Sequence, residues 1–197
     1  SWYAQLLSIL GRHDEAFEMI NRATDIDPIS PSVTGILFPI IEGRGEFQKG
    51  LELAEKAYLF DKENINSRRS YATFLYHSGE FEKVIELVKE SQEKSKNINH
   101  IWFSLLAASY QKTGNFAESG KYLNQIKEES AQNTKFLYSL AVNYAELKRF
   151  DEAIAALEKC YEMREERIVW MKSEPRFGNL KTDSRFIELL KKLRLTN

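Results

Sequence analysis

The stretch that decides the fold is Ala141-Val142-Asn143-Tyr144-Ala145-Glu146-Leu147-Lys148-Arg149-Phe150-Asp151-Glu152-Ala153-Ile154. It contains the end of one amphipathic helical segment and the start of another, and a short turn near Lys148 separates them. Alanines occupy the positions where the two segments would touch, because a small side chain lets two helices approach closely. The stretch therefore predicts a helical hairpin.

The same pattern recurs along the chain at intervals of 34 or 35 residues. Three positions mark each copy of the pattern: a turn residue, a mostly aromatic residue two positions later, and a mostly small residue three positions beyond that. In that order the three sets are Gly11, Gly45, Gly79, Gly114 and Lys148; His13, Phe47, Phe81, Phe116 and Phe150; and Ala16, Gly50, Val84, Ser119 and Ala153. A fixed period of this length is typical of a helical solenoid. We predict an all-α fold of five helix pairs over residues 1–163, with the recurring phenylalanines packed in its core.

The composition narrows the class of protein. The 28 lysines and arginines nearly balance the 29 aspartates and glutamates among the 197 residues. This balance argues against nucleic acid as a partner, since such binding depends on neutralising phosphates, and it offers an anionic membrane no attraction. No apolar run approaches the roughly 20 residues of a membrane span. The single cysteine, Cys160, excludes an internal disulfide framework and is compatible with a reducing compartment such as the cytoplasm.

Nothing in the sequence indicates catalysis, a metal or a cofactor. The three histidines, His13, His77 and His100, lie in different repeats without the spacing of metal ligands. Cys160 fills a small-residue position between helices, so we expect an inert buried thiol. Neither a phosphate-binding glycine loop nor a pairing of nucleophile and base is present. We expect a protein that is not an enzyme.

The repeated residues resemble the tetratricopeptide repeat (TPR), a 34-residue helix–turn–helix unit. The fifth repeat is the best copy, and the first matches it well, whereas repeats two to four are degenerate at the small interface position. The matching residues are Leu140, Ala141, Tyr144, Phe150, Ala153, Leu157 and Cys160 in repeat five, and Ala4, Leu7, Gly11, Ala16, Ala23 and Pro28 in repeat one. The resemblance implies a right-handed superhelix whose first helices line a concave groove that binds a peptide or a partner domain.

The resemblance also implies which side chains line that groove. They are Arg69, Thr73, Tyr76, His77, Ser104, Gln111, Lys112, Lys135 and Tyr138. Their mixture of aromatic, amide and cationic groups suits an extended peptide, with the cations meeting carboxylates. The family's clamp for chaperone C-termini uses asparagines at positions that hold Thr73 and Leu105 here, so a chaperone tail is not expected. The alternative interpretation is that the set consists of ordinary solvated residues on helix faces.

Residues 164–197 break the period and are predicted to form a C-terminal capping segment, with Asp183 as the N-cap of a final helix. A doubled pattern, Pro175-Arg176-Phe177 and Ser184-Arg185-Phe186, resembles the C-terminal TPR region of bacterial multidomain signalling proteins. In those proteins a nucleotide cyclase such as adenylate cyclase, a winged-helix regulator or a kinase precedes the repeats. The resemblance implies a sensor or docking module in signal transduction. Because the chain opens at Ser1 inside a helical pattern, we expect a fragment of a longer protein.

Two alternatives to a peptide-binding module remain open. The first is a structural or dimerisation element, in which the apolar face of Trp2, Leu6 and Leu10 pairs with a second copy or docks on an upstream domain. The second is a helical-repeat RNA binder, which the near-zero net charge opposes.

Two local features complete the prediction. Pro39 lies inside the first helix of repeat two, where proline removes a backbone hydrogen bond, so we expect a kink or a short break. Lys94-Ser95-Lys96-Asn97 is predicted to be a polar turn.

Overall fold

The computed structural model describes residues 2–94 and 100–196, and within these ranges it contains α-helices, 3₁₀ helices and turns but no strand. The α-helices are α1 (Trp2–Ile9), α2 (His13–Ile26), α3 (Pro31–Arg44), α4 (Phe47–Phe60), α5 (Ile65–His77), α6 (Phe81–Lys94), α7 (His100–Lys112), α8 (Phe116–Glu129), α9 (Lys135–Glu146), α10 (Phe150–Glu162) and α11 (Ser184–Lys192). Two 3₁₀ helices, Glu166–Trp170 and Pro175–Leu180, precede α11. The predicted all-α fold class is confirmed, while most of the predicted polar turn at 94–97 lies outside the described residues.

The chain forms two compact units, unit 1 (Ser1–Glu80) and unit 2 (Phe81–Asn197). In unit 1 each helix packs against the next, and α3 also packs against α1 and α5. In unit 2 α7 packs against α6, α8 and α9, while α9 also packs against α8, α10 and both 3₁₀ helices. The final helix α11 lies against α10. Within each unit, therefore, first helices of successive repeats are neighbours. The division into residues 1–163 and 164–197 stays a prediction.

The five turn positions read from the repeat all have left-handed backbone conformations. The φ angles are 77° at Gly11, 71° at Gly45, 83° at Gly79, 79° at Gly114 and 59° at Lys148. Around Lys148 the Arg149 amide donates to the Tyr144 carbonyl at 2.9 Å and the Lys148 amide to the Ala145 carbonyl at 3.0 Å, the pattern that closes a helix end. Glycine adopts this conformation without the steric cost that a Cβ brings, so Lys148 is the strained member of the set.

The small position of the repeat is buried in every copy, as the sequence predicts. Ala16, Val84 and Ala153 are fully buried, Ser119 nearly so, and Gly50 is buried as well. At Gly50 a Cβ would lie 2.1 Å from Cε1 of Phe74, far inside van der Waals contact. Helices α4 and α5 therefore approach as closely as they do because residue 50 has no side chain.

The expectation that all four recurring phenylalanines are core residues is wrong for Phe116. Its residue surface is 65% exposed, whereas Phe47, Phe81 and Phe150 are half-buried. The physical reason is position, since these residues begin the second helices α4, α6, α8 and α10 and so lie at the end of a hairpin. A ring there covers a turn or a neighbouring side chain, as Phe47 does by stacking on His77 with centroids 4.6 Å apart.

Helix α3 continues through Pro39 without the break that the sequence suggests. Proline in a helix interior costs about 3 kcal/mol. Leu37, Ile40 and Ile41 beside it are fully buried, and each such side chain contributes roughly 1.5–3 kcal/mol. Tertiary packing of α3 therefore outweighs the local cost of the proline.

Candidate peptide-binding surface

In unit 1 the candidate surface lies on α5, where His77 bridges to the neighbouring first helix. His77 Nε2 lies 2.8 Å from Oε1 of Glu42 on α3, and the imidazole stacks on the ring of Phe47. His77 lies in the last turn of α5, where positive charge is favourable to the helix dipole. The His77 side chain is only 7% exposed, so the structure corrects the prediction that it lines the surface and shows a residue that ties α3 to α5.

The other three predicted residues of α5 differ in their access to solvent. Tyr76 is only 6% exposed, so the structure corrects the prediction that it lines the surface. Arg69 and Thr73 are half-buried, and the Thr73 hydroxyl donates to the Arg69 carbonyl at 3.0 Å. Those two positions, one helical turn apart, are where α5 presents polar groups on the predicted face.

In unit 2 a similar bridge joins α7 to α9. Lys112 Nζ lies 3.2 Å from Oε2 of Glu146, and the two side chains are 43% and 16% exposed. Next to this pair Gln111, Ser119 and Asn143 line a shallow recess walled by Ala107 and other small or apolar residues. The Ser119 hydroxyl donates to the Ala107 carbonyl at 2.8 Å. The recess therefore lies beside an ion pair and has a mainly apolar lining, in which Ser119 and Asn143 are themselves buried.

Ser104 is a second predicted residue that the structure places inside. It is 5% exposed, and its Oγ accepts a hydrogen bond of 2.7 Å from Nδ2 of Asn143, which also donates to the Ser139 carbonyl at 2.8 Å. Ser104 and Asn143 therefore connect α7 to α9 beneath the surface. Sequence reasoning missed Asn143, although an amide in the apolar run from Leu140 to Tyr144 is a visible sign of a buried polar contact.

Tyr138 is the largest correction, because it is 1% exposed. The C-terminal segment covers it: the Phe177 ring meets its ring edge-on with centroids 5.7 Å apart, and the Arg167 guanidinium lies 4.6 Å from its ring centroid. Lys135, one turn earlier on α9, remains exposed. In the last repeat the C-terminal segment thus covers Tyr138 on the predicted binding face, whereas Lys135 stays exposed.

The covering segment is built from a nine-residue unit that occurs three times, of which sequence reasoning recognised two copies. The first seven residues of each unit read acid-x-Arg-apolar-x-x-apolar, at residues 165–171, 174–180 and 183–189. The acids Glu165, Glu174 and Asp183 each begin a helical turn and accept the backbone N–H of the arginine two residues later, at 3.0, 3.2 and 2.8 Å. The apolar positions are all at most 4% exposed, and they are Ile168, Met171, Phe177, Leu180, Phe186 and Leu189. The first copy could have been recognised from the sequence, because its acid and arginine precede those of the second copy by nine residues.

The arginines of the three units are used differently. Arg176 and Arg185 turn back and make two hydrogen bonds each to their own acids, Glu174 and Asp183, at 2.6–3.1 Å. The side-chain hydrogen bond from Arg185 is the main cause that lowers the pKa of Asp183 to about 2. The Arg167 guanidinium instead contacts His100 on α7 and Ser139 on α9.

Burial disfavours the ionised forms of two acidic groups in this region, the Cys160 thiol and the Glu165 carboxyl. Burial raises the pKa of the Cys160 thiol to about 12, and Cys160 is fully buried, as expected of an inert packing residue. Burial also raises the pKa of Glu165, whose Oε1 has no hydrogen-bond partner among the described residues. Within 2–94 and 100–196 there is no group of three or more His, Cys, Asp or Glu residues arranged to hold a metal ion.

A search of family models matches residues 2–30 and 134–167 to the tetratricopeptide repeat. Among curated proteins, the TPR repeat-containing protein YpiA of Bacillus subtilis (strain 168) is 23% identical over 152 residues, which is 75% of this chain and 36% of YpiA. The chain thus spans about a third of the length of YpiA. No helix in the described part of the chain has the length and apolar character needed to cross a membrane.

Two solved structures share the fold. A thermophilic TPR protein from Thermus thermophilus superposes with a TM-score of 0.62 at 16% identity, covering 89% of this chain and 98% of that one. A tetratricopeptide repeat protein from Parabacteroides merdae ATCC 43184 gives a TM-score of 0.51 at 16% identity, covering 98% and 76%. At these identities the likeness concerns the fold alone. The tetratricopeptide repeat model thus matches the first repeat and the fifth, and the two solved structures share the fold of this chain.

Proposed function

We propose that the chain is a non-catalytic protein-interaction module that binds an extended peptide or a partner domain along its first helices. TPR proteins generally mediate protein–protein interactions, and the fold is typically a non-enzymatic scaffold. The observation that carries the proposal is the pair of side-chain bridges, Glu42–His77 and Lys112–Glu146. Each holds neighbouring first helices side by side at a fixed distance while polar side chains next to it stay accessible. Such a preorganised polar wall suits a peptide backbone and its side chains.

The accessible cations indicate the chemistry of the partner. Lys135 is exposed at the start of α9, and Arg69 is half-buried on α5. Lys112 is paired with Glu146. We propose that each unit contacts acidic residues of a partner, through Arg69 in unit 1 and through Lys135 in unit 2. Gln111 and Thr73 supply amide and hydroxyl groups for the peptide backbone.

The proposal is tested by selecting binding peptides from a displayed library against the immobilised chain and measuring their affinity for charge-reversed variants. Arg69→Glu and Lys135→Glu should each weaken an acidic peptide by about tenfold, the loss of one charge-assisted hydrogen bond. The matched controls are Lys56→Glu on α4 and Lys159→Glu on α10, which are exposed lysines of second helices. If the controls weaken binding as much as the two test variants, the first helices are not the binding face.

As the wider role we propose a sensor or docking module in a bacterial signalling protein, attached to an effector such as a nucleotide cyclase, a winged-helix regulator or a kinase. The doubled Pro/Ser-Arg-Phe pattern supports it, and the single buried cysteine is compatible with the cytoplasm. Recovering the sequence that precedes Ser1 in the genome tests it: an effector domain there supports this role, and a run of further repeats opposes it.

A second candidate function, self-association, is favoured by the outer face of α1. Trp2 is 88% exposed, Leu6 is 50% exposed, and Leu10 just beyond the helix is half-buried. Burying such a face against a second copy or an upstream domain would remove a large apolar area from water. Light scattering distinguishes the candidates, because a dimer that Trp2→Ala converts to a monomer supports self-association and a concentration-independent monomer opposes it.

A further inference from the structure

We propose that the contact between Arg167 and His100 makes the docking of the C-terminal segment on α9 pH-dependent, with protonation of His100 releasing the segment. Arg167 Nη1 lies 2.8 Å from Nδ1 of His100 and 3.1 Å from Oγ of Ser139. A guanidinium can only donate hydrogen bonds. Nδ1 of His100 must therefore be the acceptor in this contact, which requires an imidazole that carries no proton on Nδ1.

Protonation would convert that acceptor into a donor. Nδ1–H would then face a guanidinium N–H at 2.8 Å, and two positive charges would lie side by side. Ser139 does not resolve the conflict, although its Oγ is also within 3.1 Å of Nδ1 and could accept from both groups. The two nitrogens would still have to separate, because neither could accept from the other. The bond that holds Arg167 on the first helices therefore exists only while His100 is neutral.

The other arginines of the segment show why this contact is the sensitive one. Arg176 and Arg185 are each neutralised by two hydrogen bonds to a carboxylate. Arg167 has the equivalent acid, Glu165, which accepts from the Arg167 backbone N–H as the other two acids do from theirs, but within the described residues the Arg167 guanidinium makes no hydrogen bond to it. The Arg167 guanidinium is instead held by an imidazole, a hydroxyl and the Tyr138 ring. Burial lowers the pKa of Arg167, which reflects the cost of placing this cation away from water.

Other charged groups near the contact also affect how tightly the segment is docked on α9. From α9, Lys135 is a permanent cation that interacts with Glu165. From the segment itself come Glu165, Glu166, Glu174 and Arg176; Glu165 and Glu174 attract the Arg167 guanidinium, and Arg176 repels it. The pKa of Glu165 is raised by burial, so its protonation favours the docked state as pH falls. Acidification would therefore tighten the segment if Glu165 dominated, and it loosens the segment if His100 dominates.

Release would uncover the face that the segment now occupies. Tyr138 is covered by Phe177 and Arg167, both of which belong to the segment. The pH dependence itself does not require that any partner binds, so it stands apart from the function proposed above.

Hydrogen exchange measured by mass spectrometry on the whole chain tests the inference. Histidine ordinarily changes charge between pH 5 and 8. Relative to the amides of α8, which report general stability, protection of residues 165–181 should fall by about 10- to 100-fold from pH 8 to pH 5.5, the loss of one charge-assisted bond. His100→Gln keeps an acceptor that does not titrate, and it should remove this fall. Arg167→Gln keeps a donor without charge and should remove most of it.

Three results would overturn the inference. The first is wild-type protection that stays level or rises on acidification, which would place Glu165 in control. The second is a fall that persists unchanged in His100→Gln. The third is a fall of equal size in α8, which would mean general unfolding. Circular dichroism and urea unfolding at pH 8 establish that both variants are folded before the comparison is made.

Discussion

Replacing Gly50 by alanine should destabilise the protein even though alanine is the better helix former. Residue 50 lies inside α4, and its added Cβ would be 2.1 Å from Cε1 and 2.5 Å from Cδ1 and Cζ of Phe74. Ordinary carbon contacts are about 3.5–4.0 Å, so the ring would have to move by roughly 1.5 Å. Phe74 is 1% exposed and packs edge-on against Phe38, with centroids 5.4 Å apart. The ring therefore has no space to enter.

The magnitude follows from two opposing terms. Overpacking a filled core costs about 1–3 kcal/mol, and replacing a mid-helix glycine by alanine gains about 0.5–1 kcal/mol. The net expectation for Gly50→Ala is a loss of up to about 2.5 kcal/mol. Gly35 in α3 is the matched control, because it is exposed and an added Cβ there would meet no atom within 4 Å. Gly35→Ala should therefore gain about 0.5–1 kcal/mol.

Urea unfolding followed by far-ultraviolet circular dichroism measures both variants against the parent chain. The midpoint of Gly50→Ala should lie below that of the parent, and the midpoint of Gly35→Ala above it, with slopes unchanged. If Gly50→Ala stabilised the protein as much as Gly35→Ala, the close approach of α4 to α5 at residue 50 would be refuted.

Three other substitutions test separate parts of the account. Lys148→Gly should raise the free energy of unfolding by about 1 kcal/mol, because residue 148 has a φ of 59°, while Lys148→Ala should gain nothing; urea midpoints of the pair decide it. Ala153→Leu should cost about 1–3 kcal/mol by overpacking a fully buried position in α10, and an unchanged melting temperature would contradict the helix contacts assigned there. Asp183 has its pKa lowered from 3.8 to about 2, so its contribution to stability is present above pH 4 and is lost as pH falls towards 2. An NMR titration of the Asp183 carboxyl should show this low midpoint in the parent chain and a higher one in Arg185→Ala, which keeps only the backbone hydrogen bonds to the carboxylate.

The periodicity of the sequence was enough to predict the helix pairs and their turns. A glycine or lysine at a 34- or 35-residue interval predicted the turn of each repeat, and the small residues predicted the buried contacts between helices. These features depend on local conformation and on a periodic constraint, both of which are visible in one sequence. The same reasoning placed Phe116 in the core because it did not distinguish the end of a hairpin from its middle.

The candidate surface was less predictable, because burial there depends on what packs against a helix face. Ser104 and Tyr138 occupy positions that the family resemblance assigns to the groove. Asn143 from the next first helix buries Ser104, and Phe177 from the C-terminal segment buries Tyr138. The repeat period predicts neither partner. It does not indicate that Asn143 bonds to the preceding first helix, and Phe177 lies outside the repeats. The nine-residue unit of the segment would have indicated an ordered cap, but not the side on which it packs.

The central claim is that the first helices carry the partner-binding face, and chemical-shift mapping by NMR with a selected acidic peptide tests it most directly. The account predicts that the largest shifts fall on backbone amides at Arg69 and Thr73 in α5 and at Gln111 and Lys135 in unit 2, and that Lys135→Glu reduces them. Shifts concentrated instead on second helices such as α4 and α10, or on Trp2 and Leu6 of α1, would contradict it.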